Sequence, residues 1–410
     1  MAIQLGSTNF GSLYLGSTQV AEAYLGSVKV FPSGPNYNPL GLQPYTIRLK
    51  FTDGVTPSFE NGTAVQVSAS PNVWDLTYQN TDWNWLLGSQ GNLIEVLGAN
   101  SESVTSMAYL FANCSSLSSV ALFDTSTVTM LNGLFRNCSA LQTVPQFDTS
   151  AAMYIENAFD NCSSLTSVPL LDTSSVIGMS YMFAKCTSLT TVPLLDTSSV
   201  TYMTMMFDGC TALTSVPLFD TSSVRIMQYM FRNCSSLTTV PLFNTSSVTD
   251  MMSMFQGCSS ITTVPLFNTS SVTRMDSMFL NCSQLTTVPL FDTSSVTNMS
   301  SMFNGCSSLT EAPLFDTSSV SNMNTMYKGC SSITEVPLYD ITSIPRTSSG
   351  NGGINGMYNG CVNVASGTYA FYQRCQVYPY PYYHSQTFRD CGINTTTGAA
   401  ELARIDADWK

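Results

Sequence analysis

Charge is what this chain has least of. Only 10% of its 410 residues are charged, and 14 Lys+Arg stand against 26 Asp+Glu, for a net charge of −12. No basic cluster occurs. That sign and that sparseness oppose phosphate binding, so no nucleic-acid partner is expected. The single histidine, His384, leaves no imidazole for a nucleophile–base pair and too few nitrogens for a zinc site. No phosphate-loop motif is present. No apolar run is long enough to cross a bilayer, so membrane insertion is not expected. The opening MAIQLGSTNFGSLYLGSTQV has neither the basic and apolar regions of a secretory signal nor an early lipidatable cysteine. It predicts a chain made in a cytoplasm that leaves by some route other than ordinary export.

What is abundant is repetition. Ten cysteines recur every 24 residues, from Cys114 through Cys234 to Cys330. One clean copy is FRNCSSLTTVPLFNTSSVTDMMSM, starting at Phe231. A fixed period of this size marks a solenoid, whose units stack on their neighbours and do not fold alone. The expected fold is a β-rich, leucine-rich-repeat-like solenoid of parallel β coils with short helical turns. Within a copy, Phe231, Cys234, Leu237, Val240, Leu242, Phe243, Val248, Met251 and Met254 form the apolar set. Leu-Thr-Thr-Val suits a short strand that ends near the following Pro. Val-Thr-x-Met starts a second one, and Met-Phe-x-x-Cys is spaced for a helical turn. The Asx column, Asp124 to Asp340 with Asn244 and Asn268, reads as a turn residue bonding local backbone. The cysteines are expected reduced and buried, since stacked parallel side chains suit neither disulfides nor a metal.

Four segments follow. Residues 1–33 repeat Leu-Gly-Ser every ten residues, which reads as a small β-meander with Gly-Ser turns. It is too short to bury a core alone and is assigned to attachment or oligomerisation. Residues 37–103 read as a small β domain that caps the solenoid, with Trp74, Trp83 and Trp85 as core. Residues 104–361 are the repeats. Residues 362–410 form the C-terminal cap.

The stretch from Val104 to about Cys361, with its M-F-x-x-C-S-S-L-T-x-V-P-L-F-D-T-S-S-V-T-x-M pattern, resembles the BspA-like leucine-rich repeat of bacterial surface proteins. The branch it is most similar to also occurs in mycoplasma-type surface lipoproteins. That resemblance implies surface adhesion and no enzymatic activity. The start, L-G-S-T-x-x-x-x-x-Y-L-G-S-T-Q-V, resembles N-terminal segments of bacteriophage virion proteins, and Asn394–Leu402 resembles the tail of similar phage-borne repeat proteins. Together they imply a fibre or decoration protein that joins other virion proteins through residues 1–33. A bacterial cell-surface adhesin is the alternative.

Candidate contact residues are sought where copies differ. Three columns drift: one from Met130 through Tyr154, Tyr202 and Arg274 to Asn298, one from Tyr109 through Tyr181 and Tyr229 to Ser253, and one from Arg136 to Lys328. All are expected to face solvent. Tyr154, Tyr181, Tyr202, Tyr229, Arg225 and Arg274, with Tyr380, Tyr382 and Tyr383 near the end, are the candidates for a host-surface glycan or protein. A homo-oligomer, a trimer among the options, is expected. No cofactor is implied. The only carboxylate pairs spaced for glycoside hydrolysis are Glu311 with Glu335 and Glu156 with Asp160, a distant reading beside solvated surface acids.

Overall fold

The structure, a computed structural model, describes residues 38, 40–59, 62–345, 353–377 and 384–410, and before them the backbone of four two-residue strands. Those strands pair antiparallel as β1 (Tyr14–Leu15) with β2 (Thr18–Gln19) and β3 (Tyr24–Leu25) with β4 (Val28–Lys29). A two-residue Gly-Ser stretch of the sequence lies between the strands of each pair.

Next comes a five-stranded sheet. β5 (Thr46–Phe51), β6 (Thr63–Ala69), β7 (Asn72–Thr77), β8 (Leu93–Asn100) and β9 (Ser119–Val120) lie in the order β6-β7-β5-β8-β9. The alternation of Thr46–Phe51 buries Ile47, Leu49 and Phe51 against the end of the solenoid. β8 is antiparallel to β5 but parallel to β9, so one strand belongs to both the sheet and the first coil. The inter-coil ladder in fact reaches back to Asp82, which bridges to Ser106. Residues 82–100 thus stack as a coil, although they carry no cysteine.

From there the coils stack in register. A column of parallel bridges runs from Asp82 through Tyr154, Tyr202 and Asp250 to Gly353. The expected parallel coils are present, with less strand than the sequence suggested. Val-Thr-x-Met contributes one bridge per coil. After β9, Leu-Thr-Thr-Val is reduced to single bonds such as Thr238 N–H to Thr214 O at 3.2 Å. The Met-Phe-x-x-Cys segment is a run of overlapping turns and not an α-helical turn. Met107, Tyr109, Phe111 and Asn113 donate to the next coil's carbonyls, while Leu110, Ala112 and Cys114 donate back three residues. This alternation needs left-handed backbone at two positions per coil, seen at Tyr109 (φ 58°) and Asn113 (φ 62°).

Side chains complete the stack. Each cysteine from Cys114 to Cys361 in the column donates its S–H to a main-chain carbonyl of the preceding coil at 3.0–3.2 Å. All thirteen cysteines are free and buried. Burial pushes the thiols far up, Cys114 and Cys258 to about 12. Thr125 to Thr317 are buried one per coil, each hydroxyl donating to the next Asx carbonyl at 2.7–2.8 Å. The Asx side chain closes its own turn: Asp196 accepts from Ser198 N at 3.0 Å and Ser198 Oγ at 2.7 Å. Aromatic rings stack through the core from Phe111 to Phe388.

The coils are not evenly spaced across their width. Rings of the Phe231 column repeat at 5.5–5.7 Å, from Phe183 to Phe303. Rings of the Phe243 column lie 6.3–6.5 Å apart from Phe219 to Phe243 and from Phe267 to Phe315, and 5.0 Å apart at Phe123 and Phe147. The cause is Pro, which removes a ladder donor from the Val-Pro-Leu-Phe segment. Coils are held there by side chains such as Thr221, whose hydroxyl donates to Asn244 O at 2.8 Å. At the far end α1 (Thr368–Gln376), α2 (Thr396–Ala403) and a 3-10 turn (Ala407–Trp409) close the stack, with Phe371 and Trp409 packed against Phe388.

Candidate functional site

The drifting columns do not all face water. The column after the Phe is tied down: Asp208 is buried and accepts both Arg232 Nε at 2.8 Å and Nη2 at 2.6 Å, and Asp160 is buried against Arg136 Nε at 3.1 Å. Burial pushes the Asp160 carboxyl up, against the pull of Arg136 and Lys185. The expectation of a solvated column fails here because an arginine one coil away covers each acid. Asp160 is therefore engaged by Arg136. Glu156 packs elsewhere, against Gly178, where a Cβ would meet its Oε1 at 2.6 Å.

The other two columns make a continuous flank. Gly178 separates Tyr154 from Tyr202 along the bridge column, so the two tyrosines stand two coils apart. Tyr202 is 50% exposed and Arg225 is exposed, whereas Tyr154, Tyr181, Tyr229 and Arg274 are half-buried. Arg232 lies over the Tyr229 ring at 4.7 Å. Met252 touches both Tyr229 Oη at 3.5 Å and Arg274 Nη2 at 2.8 Å, and Arg274 also meets Asp276 at 3.2 Å and Asp250 at 3.5 Å. The structure thus joins Tyr229 and Arg274 in one cluster. Tyr380, Tyr382 and Tyr383 lie outside the described residues.

One member of this face was hidden in the sequence. Trp85 was read as core with Trp74 and Trp83. Trp83 is fully buried, but Trp85 is 51% exposed and stacks on Tyr109 at 4.5 Å with the planes 7° apart. Its signal was the period, since Trp85 stands 24 residues before Tyr109. The column Trp85, Tyr109, Tyr181, Met205 and Tyr229 is held at φ 55–60°. Left-handed backbone costs about 1–2 kcal/mol for residues other than glycine and, less so, asparagine. Gly133, Asn157, Ser253, Ser277, Ser301 and Thr325 occupy the same column, so smaller residues fit. Large side chains at strained positions point to a role outside packing.

One member of the repeat's apolar set forms a second exposed column. The leucine after the Pro points outward in every coil from Leu170 to Leu338, at 48–64% exposed. Pro turns the chain between Val240 and Phe243, which stay inside, and leaves Leu242 out. Beside the end of this column, Glu311 and Glu335 edge an open recess of about 620 Å³ with Leu314, Leu338, Gly367 and Ala370. Both acids are exposed. Among the described residues no group of three His, Cys, Asp or Glu converges to hold a metal, and no helix is long and apolar enough to cross a membrane.

Comparison with known proteins bears on the fold. No curated protein matches the chain significantly. Among solved structures, it is similar to a leucine-rich repeat protein from Bacteroides ovatus at 17% identity, covering 88% of this chain and 97% of that one, with a TM-score of 0.47. A leucine rich cell surface protein from Faecalibacterium prausnitzii matches at 19% identity over 68% of this chain and 92% of its own, TM-score 0.38. A leucine-rich repeat protein from Eubacterium ventriosum matches at 19% identity over 62% and 68%, TM-score 0.38. A family model matches residues 89–191, 153–266 and 261–349, together well over half the chain. The chain belongs to the family described as Mycoplasma protein of unknown function, DUF285.

Proposed function

We propose that this chain is a non-enzymatic adhesion protein displayed at a bacterial surface. The solenoid is the scaffold, and the flank from Trp85 to Arg274 is its contact face. The observation that carries this reading is that Trp85, Tyr109, Tyr181 and Tyr229 fill a left-handed column that Gly133, Asn157, Ser253, Ser277, Ser301 and Thr325 fill elsewhere, so the scaffold does not require an aromatic there. Rigid aromatics lose little entropy on binding, and neighbouring arginines add directional donors. A glycan or a protein of a cell surface is the ligand class such a face suits. Residues 1–33 are the proposed attachment segment, because their short hairpins need a neighbour to be stable. A phage fibre or decoration protein would use the same scaffold; that reading rests on the Leu-Gly-Ser motif and on Asn394–Leu402 and stands second.

The test is retention of the full chain on arrays of cell-surface glycans and extracellular-matrix proteins. Saturable binding to at least one class is expected, and no retention on either would overturn the proposal. Recovery of its peptides by protease treatment of intact producing cells is expected as well. Recovery from purified virus particles alone would favour the second reading.

A further inference from the structure

We propose that the ligand of the contact face is a linear β-1,4-linked polysaccharide, laid along the solenoid axis with one sugar per coil. This rests on the reading of that flank as an adhesion face and narrows its ligand class. Tyr154, Tyr181, Tyr202 and Tyr229 fall in four successive coils and change sides each time. Tyr154 and Tyr202 belong to the bridge column, with Gly178 between them. Tyr181 and Tyr229 belong to the left-handed column, with Met205 between them. Between the two columns each coil presents one half-buried polar residue, Glu156, Ser180, Thr204 and Gln228 in turn. Ile155, Met179, Met203 and Met227, which precede that polar residue, point inward, so the three columns share one outer face.

The scaffold does not account for this arrangement. In later coils Asp250, Asn298 and Asn322 fill the bridge column, and each accepts the N–H two residues on at 2.9–3.1 Å. Tyrosine lacks that short acceptor, so Tyr154 and Tyr202 forgo a turn bond. One carboxylate oxygen of Glu156 is enclosed without a partner. Among the described residues the Ser180 and Thr204 hydroxyls make no hydrogen bond, which leaves them for a ligand. Spacing then selects the ligand. Bridged coils rise about 4.8 Å each, so each tyrosine column repeats at about 10 Å. Pyranoses joined equatorially at C1 and C4 advance roughly 5 Å per sugar at ordinary bond lengths, and each is turned over relative to the last. The same edge of every sugar therefore faces one side in one coil and the other side in the next, as the tyrosines do. The polar row lies beneath, where sugar hydroxyls need partners. An extended peptide advances about 3.3 Å per residue and falls out of step with the coils at once. An α-1,4-linked chain curls away from a straight row. The net charge of −12 disfavours a polyanion.

Isothermal titration calorimetry of the full chain with cellohexaose and chitohexaose tests this, with maltohexaose as the curled control. At least one β-1,4 hexasaccharide is expected to bind with a Kd below about 1 mM, and maltohexaose at least about tenfold more weakly. Affinity should climb from the disaccharide to the tetrasaccharide, which fills the four coils, and change little beyond it. Two double variants probe the two sides: Tyr154→Asn with Tyr202→Asn, and Tyr181→Asn with Tyr229→Asn. Both columns already hold asparagine, at Asn298 and Asn157, so melting should not move. Each pair should weaken binding at least about tenfold. Equal binding of maltohexaose, or full binding by either double variant, would overturn the proposal. Retention by an extracellular-matrix protein but by no β-1,4 oligosaccharide would overturn the ligand and leave the adhesion reading standing. Silence toward every sugar and protein probe would overturn both.

Discussion

A cysteine in this solenoid is a small apolar side chain that also donates a hydrogen bond. Cys234 Sγ lies 3.0 Å from Phe207 O, and the same contact recurs coil after coil. The sequence made the column visible, and its burial followed from size and spacing. The S–H bond was not legible, because nothing in a spacing says which carbonyl lies beneath a thiol. Burial is the first cause of the raised thiol values, with neighbouring thiols adding to it at Cys234 and Cys282. The folded state therefore holds protonated thiols that the unfolded chain ionises from about pH 8.5 upward. Stability from this source is complete below that value and falls as pH rises toward the folded values. Each thiol removes up to about 1.4 kcal/mol per pH unit in that window. Urea midpoints are expected to be level from neutral pH to about 8 and to drop steeply by about pH 10. A midpoint unchanged at the alkaline end would contradict the buried column.

The element of this fold is the run of overlapping turns, which binary patterning reads as helix. The apolar spacing Phe-x-x-Cys is the same in either case. What separates them is a left-handed residue just before each cysteine, filled by Asn113, Asn137, Asn161, Lys185, Gly209 and Asn233 in turn. Asn and Gly at that spot were the available signal, since both tolerate positive φ. Gly209 offers a clean test, because a Cβ there would find only ordinary contact with Lys185 at 3.5 Å. Gly209→Ala should cost about 1–2 kcal/mol from backbone strain alone, and Gly209→Asn clearly less. Equal costs in thermal melts would argue for a helical turn instead. The outward direction of Leu242 has a related origin. Val240, Leu242 and Phe243 form one apolar run, and only the turn made at Pro241 decides which of them points out.

At the scale of the molecule, backbone bridges, thiols, threonine hydroxyls and aromatic rings each run as a ladder through the coils. Neighbour-to-neighbour stacking of this kind tolerates change at positions that no ladder uses. The period, the Asx turns and the buried cysteines could be read from the sequence because they repeat. The contact face could be read only in part, because its members differ from coil to coil and burial decides which of them are available. The account stands on that face being separable from the scaffold. The most direct measurement replaces Trp85, Tyr181, Tyr202 and Tyr229 together by Asn, which already occupies the left-handed column at Asn157 and the bridge column of Tyr202 at Asn298. Cell-surface binding and melting temperature are then measured on the same preparation. The account predicts at least about a tenfold loss of binding, as for removal of several aromatic anchors, with melting little changed. Full binding by the variant, or a collapse of its melting temperature, would contradict it.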